Sequence, residues 1–336
     1  MDFSPEVLRQ QAQRRVEQEL QDTTGIIGAY LRGSLTYGSP LLGGAGDIDL
    51  VFIHAAQPQK TREIDPLTPD IHFDLAHHDQ NRYREPSVLR LDPWLGPTLH
   101  DAIPVHDPRH FIDYTQSGVR SNFSSPENIL RRCSPGLETA REYWFQHQLN
   151  PPPADLQEIS RLLIATQKAV NALAHLSGPP LPTRRLGFDL YQRAETSGAP
   201  DIYLSFMRLL GAENIDPADI QSWLPGWEET LQNMQPTGRP QGPLPQQTSY
   251  YKAAILALIE SERPLSALWS FLYTGTTAAV NQPAHHPLLE TWQEIWQAAG
   301  WWGEDYTQAL ELFDALLDDI KHTLSSWAEE KGAPLP

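Results

Sequence analysis

The sequence predicts an α+β protein, with a mixed β-sheet domain at the N-terminus followed by an all-α helical region. Three observations carry this. Short apolar runs bounded by turn residues recur up to about residue 106 and then stop. From about Ser125 onward the apolar residues recur with helical spacing instead. The later breaks are rich in Pro and Gly, as in Pro151-Pro152-Pro153, SGPPLPTRR (177–185) and QPTGRPQGPLPQQ (235–247). Residues 1–122 are therefore assigned to the first domain and 123–336 to the second, with a sub-boundary at 235–248.

The elements follow in order. Ser4-Pro5 offers a capping hydroxyl and a proline at the first helical position. Leu8, Ala12, Val16 and Leu20 then define a helix to about Gln21. Thr23-Thr24-Gly25 breaks it, and Gly25 to Leu31 reads as a strand. The loop Arg32 to Gly46 leads into a second strand, Asp47 to Ile53. Residues 54–69 are polar and hold Pro58, Pro66 and Pro69, so they read as a loop. DIHFDLA (70–76) alternates and reads as a third strand. DAIPVHDP (101–108) reads as a short fourth strand, placed at a sheet edge by its proline. Helices are expected over 128–148, 155–176, 250–260, 264–280, 286–299 and 304–331.

Composition narrows the function classes. The chain has 336 residues and a formal net charge of −17, from 42 acids against 25 bases. That balance disfavours a broad nucleic-acid surface, which needs clustered Lys and Arg. It suits small, cationic or metal-chelated partners. The one cysteine, Cys133, excludes an internal disulfide and a Cys-based zinc site. No apolar run approaches the ~20 residues that span a bilayer. The N-terminus lacks a signal-peptide pattern, so a cytoplasmic protein is expected.

The chemistry concentrates in AYLRGSLTYGSPLLGGAGDIDLVFI, residues 29–53. Side chains on a strand alternate faces, so Asp47 and Asp49 point the same way. Val51 and Ile53 continue that face, and Ile48, Leu50 and Phe52 form the other; both faces are expected to be buried beyond the strand's mouth. Two carboxylates some 6–7 Å apart repel unless solvated or bridged, and hard divalent cations bridge oxygens well. Asp74 in IHFDLA offers a third acid. Three carboxylates on neighbouring strands can hold paired Mg²⁺ ions for phosphoryl displacement. Gly33-Ser34, directly after a strand, suits close backbone approach to a phosphate, with the Ser34 hydroxyl as a donor.

A strand ending in Gly-Ser, then Asp-x-Asp on the next strand and a lone Asp on a third, resembles the DNA polymerase beta-like nucleotidyltransferases. The matching residues are Gly33, Ser34, Asp47, Asp49 and Asp74, within RGSLTYGS, GDIDLVF and IHFDLA, and the resemblance spans roughly residues 10–115. It implies a mixed-sheet domain, Mg²⁺ or Mn²⁺ dependence, and attack of an acceptor on the α-phosphate of an NTP with pyrophosphate leaving. It further implies that Asp47 and Asp49 ligate both metals, and that Asp74 ligates the catalytic one and helps deprotonate the acceptor hydroxyl. Twelve residues separate Ser34 from Asp47, a longer loop than in many members. A P-loop or Rossmann reading fails: there is no Gly-Lys-Ser/Thr, and Asp49 stands where the last fingerprint glycine belongs.

Further residues have two readings each. Arg32 meets a phosphate or caps a strand end. Tyr37 and Gly38 shape the loop or simply pack. Arg184 and Arg185 in LPTRRLG, and Lys252 in YYKAA, reach a triphosphate or lie on solvated turns; Arg184 is counted with Arg32, Gly33 and Ser34 as nucleotide-binding. His72, His77, His78, His100, His106 and His110 match no zinc pattern and read as solvated or core-edge residues. Glu138, Glu142 or Glu158 would supply a second general base, or belong to solvated helix faces. Most of the ten tryptophans are expected in the helical core.

The sequence thus predicts a metal-dependent nucleotidyltransferase. It moves an NMP, most simply AMP from ATP, to a hydroxyl of a small molecule resembling an aminoglycoside, and the helical half closes over the substrate. The alternatives are transfer to protein or tRNA, as in toxin-type relatives, and an idle nucleotide-binding or interaction module.

Overall fold

The structure, a computed structural model, describes residues 3–37, 41–235, 242–283, 286–302 and 306–334. It divides into two compact units, Met1–Asn128 and Ile129–Pro336.

The first unit is built on a mixed sheet of five strands among the described residues, in the order β3-β4-β2-β1-β5. The strands are β1 (Ile26–Arg32), β2 (Gly46–His54), β3 (Arg62–Pro66), β4 (Ile71–Asp79) and β5 (Ile103–His106). β1 and β2 are antiparallel, as are β1 and β5, whereas β2 and β4 run parallel. Residues 54–69 are not all loop, as the prolines suggest. Arg62–Pro66 is an edge strand antiparallel to β4, and it needs hydrogen-bond partners on one side only. Pro66 ends it, in a position an edge tolerates. β5 occupies the opposite edge with Pro104 inside it, as the sequence predicts.

Both faces of the sheet are covered. Helix α1 (Pro5–Asp22) is capped by the Ser4 hydroxyl, which accepts from the Val7 amide at 3.4 Å. It lays Leu8, Ala12 and Val16 on Ile48, Leu50, Phe52, Phe73 and Leu75. The other face buries Tyr30, Val51, Ile53 and Ala76. These pack beneath residues of α3 (Pro86–Leu89), α4 (Leu95–Asp101) and α5 (Phe111–Arg120). β2 is therefore apolar on both sides except at its first residues. A four-residue helix, α2 (Ser34–Tyr37), follows β1.

The second unit is helical. Its helices are α6 (Pro126–His147), α7 (Leu156–Ala174), α8 (Leu186–Thr196), α9 (Asp201–Leu209), α10 (Pro217–Gln232), α11 (Thr248–Ile259), α12 (Ala267–Ala279), α13 (Leu288–Ala298) and α14 (Tyr306–Lys331). The sequence reading assigns no element to 186–234, where α8, α9 and α10 lie. α12 is buried along nearly its whole length and packs against α7, α8, α10, α11 and α13. Three buried indoles are satisfied by threonines: Trp227 and Trp296 donate to Thr274 and Thr276, and Trp292 donates to Thr230, each at 3.0 Å. A buried indole N–H left unpaired is costly, so these tryptophans are anchored as core. Gly275 makes room for them, since a Cβ there would lie 1.9 Å from the Trp292 ring. No helix among the described residues is long and apolar enough to cross a membrane.

Each unit holds a histidine kept neutral by its surroundings. Burial, then the charges of Arg82 and Arg32, push His78 down to about 3. Burial, then Arg132 and Arg193, push His175 down to about 3. His54 and His77 move in the same direction, chiefly through burial. A base with a depressed folded pKa binds its proton in the unfolded chain first. Stability is therefore intact above the unfolded value of 6.5 and falls with pH below it, down to the folded value. Each of the two groups is expected to contribute up to about 1.4 kcal/mol per pH unit in that window. Ordinary carboxylates do not titrate between pH 6.5 and 5, and Asp49→Asn removes the one among the described residues that its surroundings raise well above the ordinary value, so urea unfolding of that variant across the interval isolates the histidines. A stability unchanged over it refutes the assignment.

Candidate active site

The turn after β1 is set by its own sequence. Gly33 has φ +76°, a conformation that favours glycine. Its carbonyl accepts from the Thr36 amide at 3.0 Å and from the Thr36 hydroxyl at 2.8 Å. Leu35 is buried in the α1-side core, and Arg9 of α1 donates to the Leu35 carbonyl at 3.0 Å. The Ser34 hydroxyl is buried and has no hydrogen-bond partner among the described residues. Tyr37 donates to Asp101 at 2.6 Å, which ties the end of α2 to α4. Gly38 lies outside the described residues.

Strand register places the acids. In the antiparallel β1–β2 pair, Arg32 stands opposite Asp49. In the parallel β2–β4 pair, Asp47 stands beside His72, and Asp49 beside Asp74. Registered neighbours share a face about 4.8 Å apart. Asp47, Asp49, His72 and Asp74 thus form one patch on the sheet face that carries Val51 and Ile53 further along. A Cβ added to Gly33 would lie 2.1 Å from the Asp49 Oδ2, so the glycine turn rests directly on this carboxylate.

The electrostatics are those of crowded negative charge. The Asp49 side chain is 15% exposed, with the Arg32 guanidinium 3.4 Å away. Its carboxyl is nonetheless held well above the ordinary value, by burial first and then by the charge of Asp47, with Asp74 adding to it and Arg32 and Arg62 opposing. Asp74 is differently placed. Arg62 Nε donates to its Oδ1 at 2.9 Å, and an Arg62 terminal nitrogen donates to Oδ2 at 2.7 Å. The pair is mostly buried, 17% and 7% exposed. Register explains the grip. Ile64 stands opposite Asp74 and Arg62 opposite Ala76, so Arg62 lies diagonally across from Asp74 on the same face.

These residues can be tested against a divalent cation. Asp47 and Asp49 offer such an ion two carboxylates on a shared sheet face. The third acid of the trio expected from sequence is already engaged, since both Asp74 oxygens accept from Arg62. Among the described residues no group of three or more His, Cys, Asp or Glu side chains is arranged to hold a metal ion.

The remaining candidates lie in the second unit. Arg184 is buried, with its guanidinium 3.9 Å from the Tyr250 ring centroid, a contact that packs α11 against the turn before α8. Arg185 pairs with Asp189 at 3.0 Å, and Lys252 with Glu228 at 2.5 Å. Glu158 is engaged by Arg161 and lies 3.4 Å from His147. Glu138 and Glu142 line a cavity of about 480 Å³ between α6 and α14. The sequence reading missed Arg62, which lies in the segment read as loop. That segment carries little signal, since Ile64 is the one aliphatic residue between Lys60 and Pro66.

No family model and no curated protein matches this chain. Among solved structures, a nucleotidyltransferase-like protein from Exiguobacterium sibiricum aligns over 86% of this chain and 91% of its own, at 10% identity and a TM-score of 0.32.

Proposed function

We propose that the chain is a nucleotidyltransferase that moves an NMP, most simply AMP from ATP, to a hydroxyl of a small-molecule acceptor. The observation that carries this reading is the register that sets Asp47, Asp49 and Asp74 on one sheet face with the Gly33 turn against Asp49. A turn that leaves the Ser34 hydroxyl buried and without a partner among the described residues suits a phosphate oxygen as acceptor. In the proposal Asp47 and Asp49 hold Mg²⁺ or Mn²⁺, which when bound neutralises phosphate charge and polarises the reacting phosphoryl group. Ser34 donates to the phosphate, and Gly33 lets the backbone approach it. Arg32 balances Asp49 while the nucleotide is absent. Asp74 takes the acceptor hydroxyl's proton as pyrophosphate leaves. The acid excess of the whole chain favours a cationic acceptor, such as an aminoglycoside.

One observation favours a second reading, an idle nucleotide-binding module: Asp74 is already neutralised by Arg62. Incubation with α-phosphate-labelled ATP, Mg²⁺ and candidate hydroxyl-bearing aminosugar acceptors separates the two. Label on the small molecule, absent in Asp47→Asn, is the expected result. Metal-dependent ATP binding with no label on small molecule, protein or RNA establishes the idle module. Label on protein or tRNA moves the acceptor class.

A further inference from the structure

We propose that Arg62 is a positioning residue that acts as an internal counter-cation, holding Asp74 out of the metal-binding set until it is displaced. This rests on the reading that Asp47 and Asp49 bind a divalent ion. It starts from the disagreement between the three-acid motif and the geometry. The acids are in register, yet no three-ligand set is formed. Backbone placement is not the obstacle, since Asp74 is the direct parallel neighbour of Asp49. What the structure does show at Asp74 is a guanidinium bonded to both of its oxygens, at 2.9 and 2.7 Å.

Two-pronged charge-assisted bonds of this kind are among the strongest side-chain contacts in a protein. An oxygen that accepts from Arg62 offers its lone pairs to a dication only at the cost of that bond. The guanidinium therefore competes with the metal for the Asp74 carboxylate. Arg62 is also well placed to let go. It stands near the start of an edge strand, after loop residues 55–61, and β3 is paired on one side only. Its competitor is a metal that arrives with a triphosphate, whose oxygens are a ready alternative partner for a guanidinium. On this view the third carboxylate joins the site when nucleotide is present, and free metal meets a two-carboxylate site.

The test is a Mn²⁺ titration of the full chain without nucleotide, followed by electron paramagnetic resonance. It compares the wild type, Arg62→Met, Asp74→Asn and the double variant, with folding checked by thermal melts. Arg62→Met is expected to bind Mn²⁺ at least about tenfold more tightly than wild type. Asp74→Asn is expected to bind Mn²⁺ no more tightly than wild type, because Asp74 is not yet a ligand and the Arg62 guanidinium is left uncompensated. The gain from Arg62→Met must vanish when Asp74 is asparagine. A gain that survives in the double variant is a bulk charge effect and overturns the proposal, as does Arg62→Met binding no tighter than wild type. If Arg62→Met does not fold, Arg62→Lys replaces it, with an expected gain of several-fold because an ammonium lacks the fork. Asp47→Asn serves as the control that abolishes binding. Failure of every variant to bind Mn²⁺ at millimolar concentration overturns the underlying cation site. Measurable but unchanged binding in Arg62→Met overturns the Arg62 role alone.

Discussion

Gly33→Ala is expected to cost about 2 to 4 kcal/mol of stability in the first unit and to reduce nucleotidyl transfer by at least about a hundredfold. Two independent effects add. The first is backbone strain, since a side chain at φ +76° is disfavoured. The second is a clash that rotamer changes at position 33 cannot relieve, because an alanine has none. The new methyl group would sit 2.1 Å from the Asp49 Oδ2 and 2.9 Å from its Cγ. Either the Gly-Ser turn lifts off the sheet or the Asp49 carboxylate swings away, and each displaces a group the proposed chemistry needs. Gly44 supplies the control. It has the same φ, +76°, but a Cβ there meets nothing within 4 Å. Gly44→Ala therefore carries the strain without the clash, and is expected to lose about 1 kcal/mol and to keep its activity. The measurements are thermal melts and initial rates on the two variants side by side. Equal rates for Gly33→Ala and the wild type would remove the turn from the site.

The contrast between Gly33 and Arg62 shows how far the sequence reached. Gly33, Ser34, Asp47 and Asp49 lie within a short stretch, and their chemistry follows from local rules: glycine for a positive φ, alternation for a shared face. Asp74 is legible as a strand acid because IHFDLA alternates. That it falls beside Asp49 is a different matter. A parallel pairing between distant segments is fixed by the whole sheet; alternation within each strand sets the face an acid takes, but not which residue of the other strand it stands beside. The strand between them escaped because edge strands carry polar residues and need little hydrophobic pattern. Lys60 to Pro66 contains one aliphatic residue, Ile64. Missing β3 meant missing Arg62, and with it the state of Asp74. In the helical half, α10 holds Pro225 in its interior and begins with Pro217, both of which read locally as breaks. Tertiary packing of Trp227 and Leu231 keeps that segment helical. Of the ten tryptophans, Trp227, Trp269, Trp292, Trp296 and Trp301 lie in the helical core as expected, whereas Trp94 is exposed and the other four are half-buried.

Asp49→Asn is expected to separate function from stability in a way a structural carboxylate would not. Transfer should fall about a thousandfold or more, because an amide neither neutralises a cation nor balances the charge of the reacting phosphate. The fold should melt at the same temperature or higher. The sign follows from the environment of the group. Burial, Asp47 and Asp74 raise the Asp49 carboxyl well above its ordinary value of 3.8, against the pull of Arg32. A carboxyl whose folded pKa exceeds its unfolded one is less comfortable charged in the fold than out of it. At neutral pH it subtracts from stability, and the deficit is recovered as the pH falls through the folded value. Asparagine keeps the shape, removes the charge, and relieves the repulsion from Asp47; the loss of the 3.4 Å contact to Arg32 offsets part of that gain. Asp74→Asn should behave oppositely. It strands Arg62, mostly buried, without its carboxylate, and should lower the melting temperature. Melts and rates on the two asparagine variants therefore test one picture of the patch: Asp49 is held at a cost to the fold for what it does, while Asp74 is braced by an arginine. An Asp49→Asn protein that melts several degrees lower while still transferring label would make Asp49 a structural acid and remove it from the reaction.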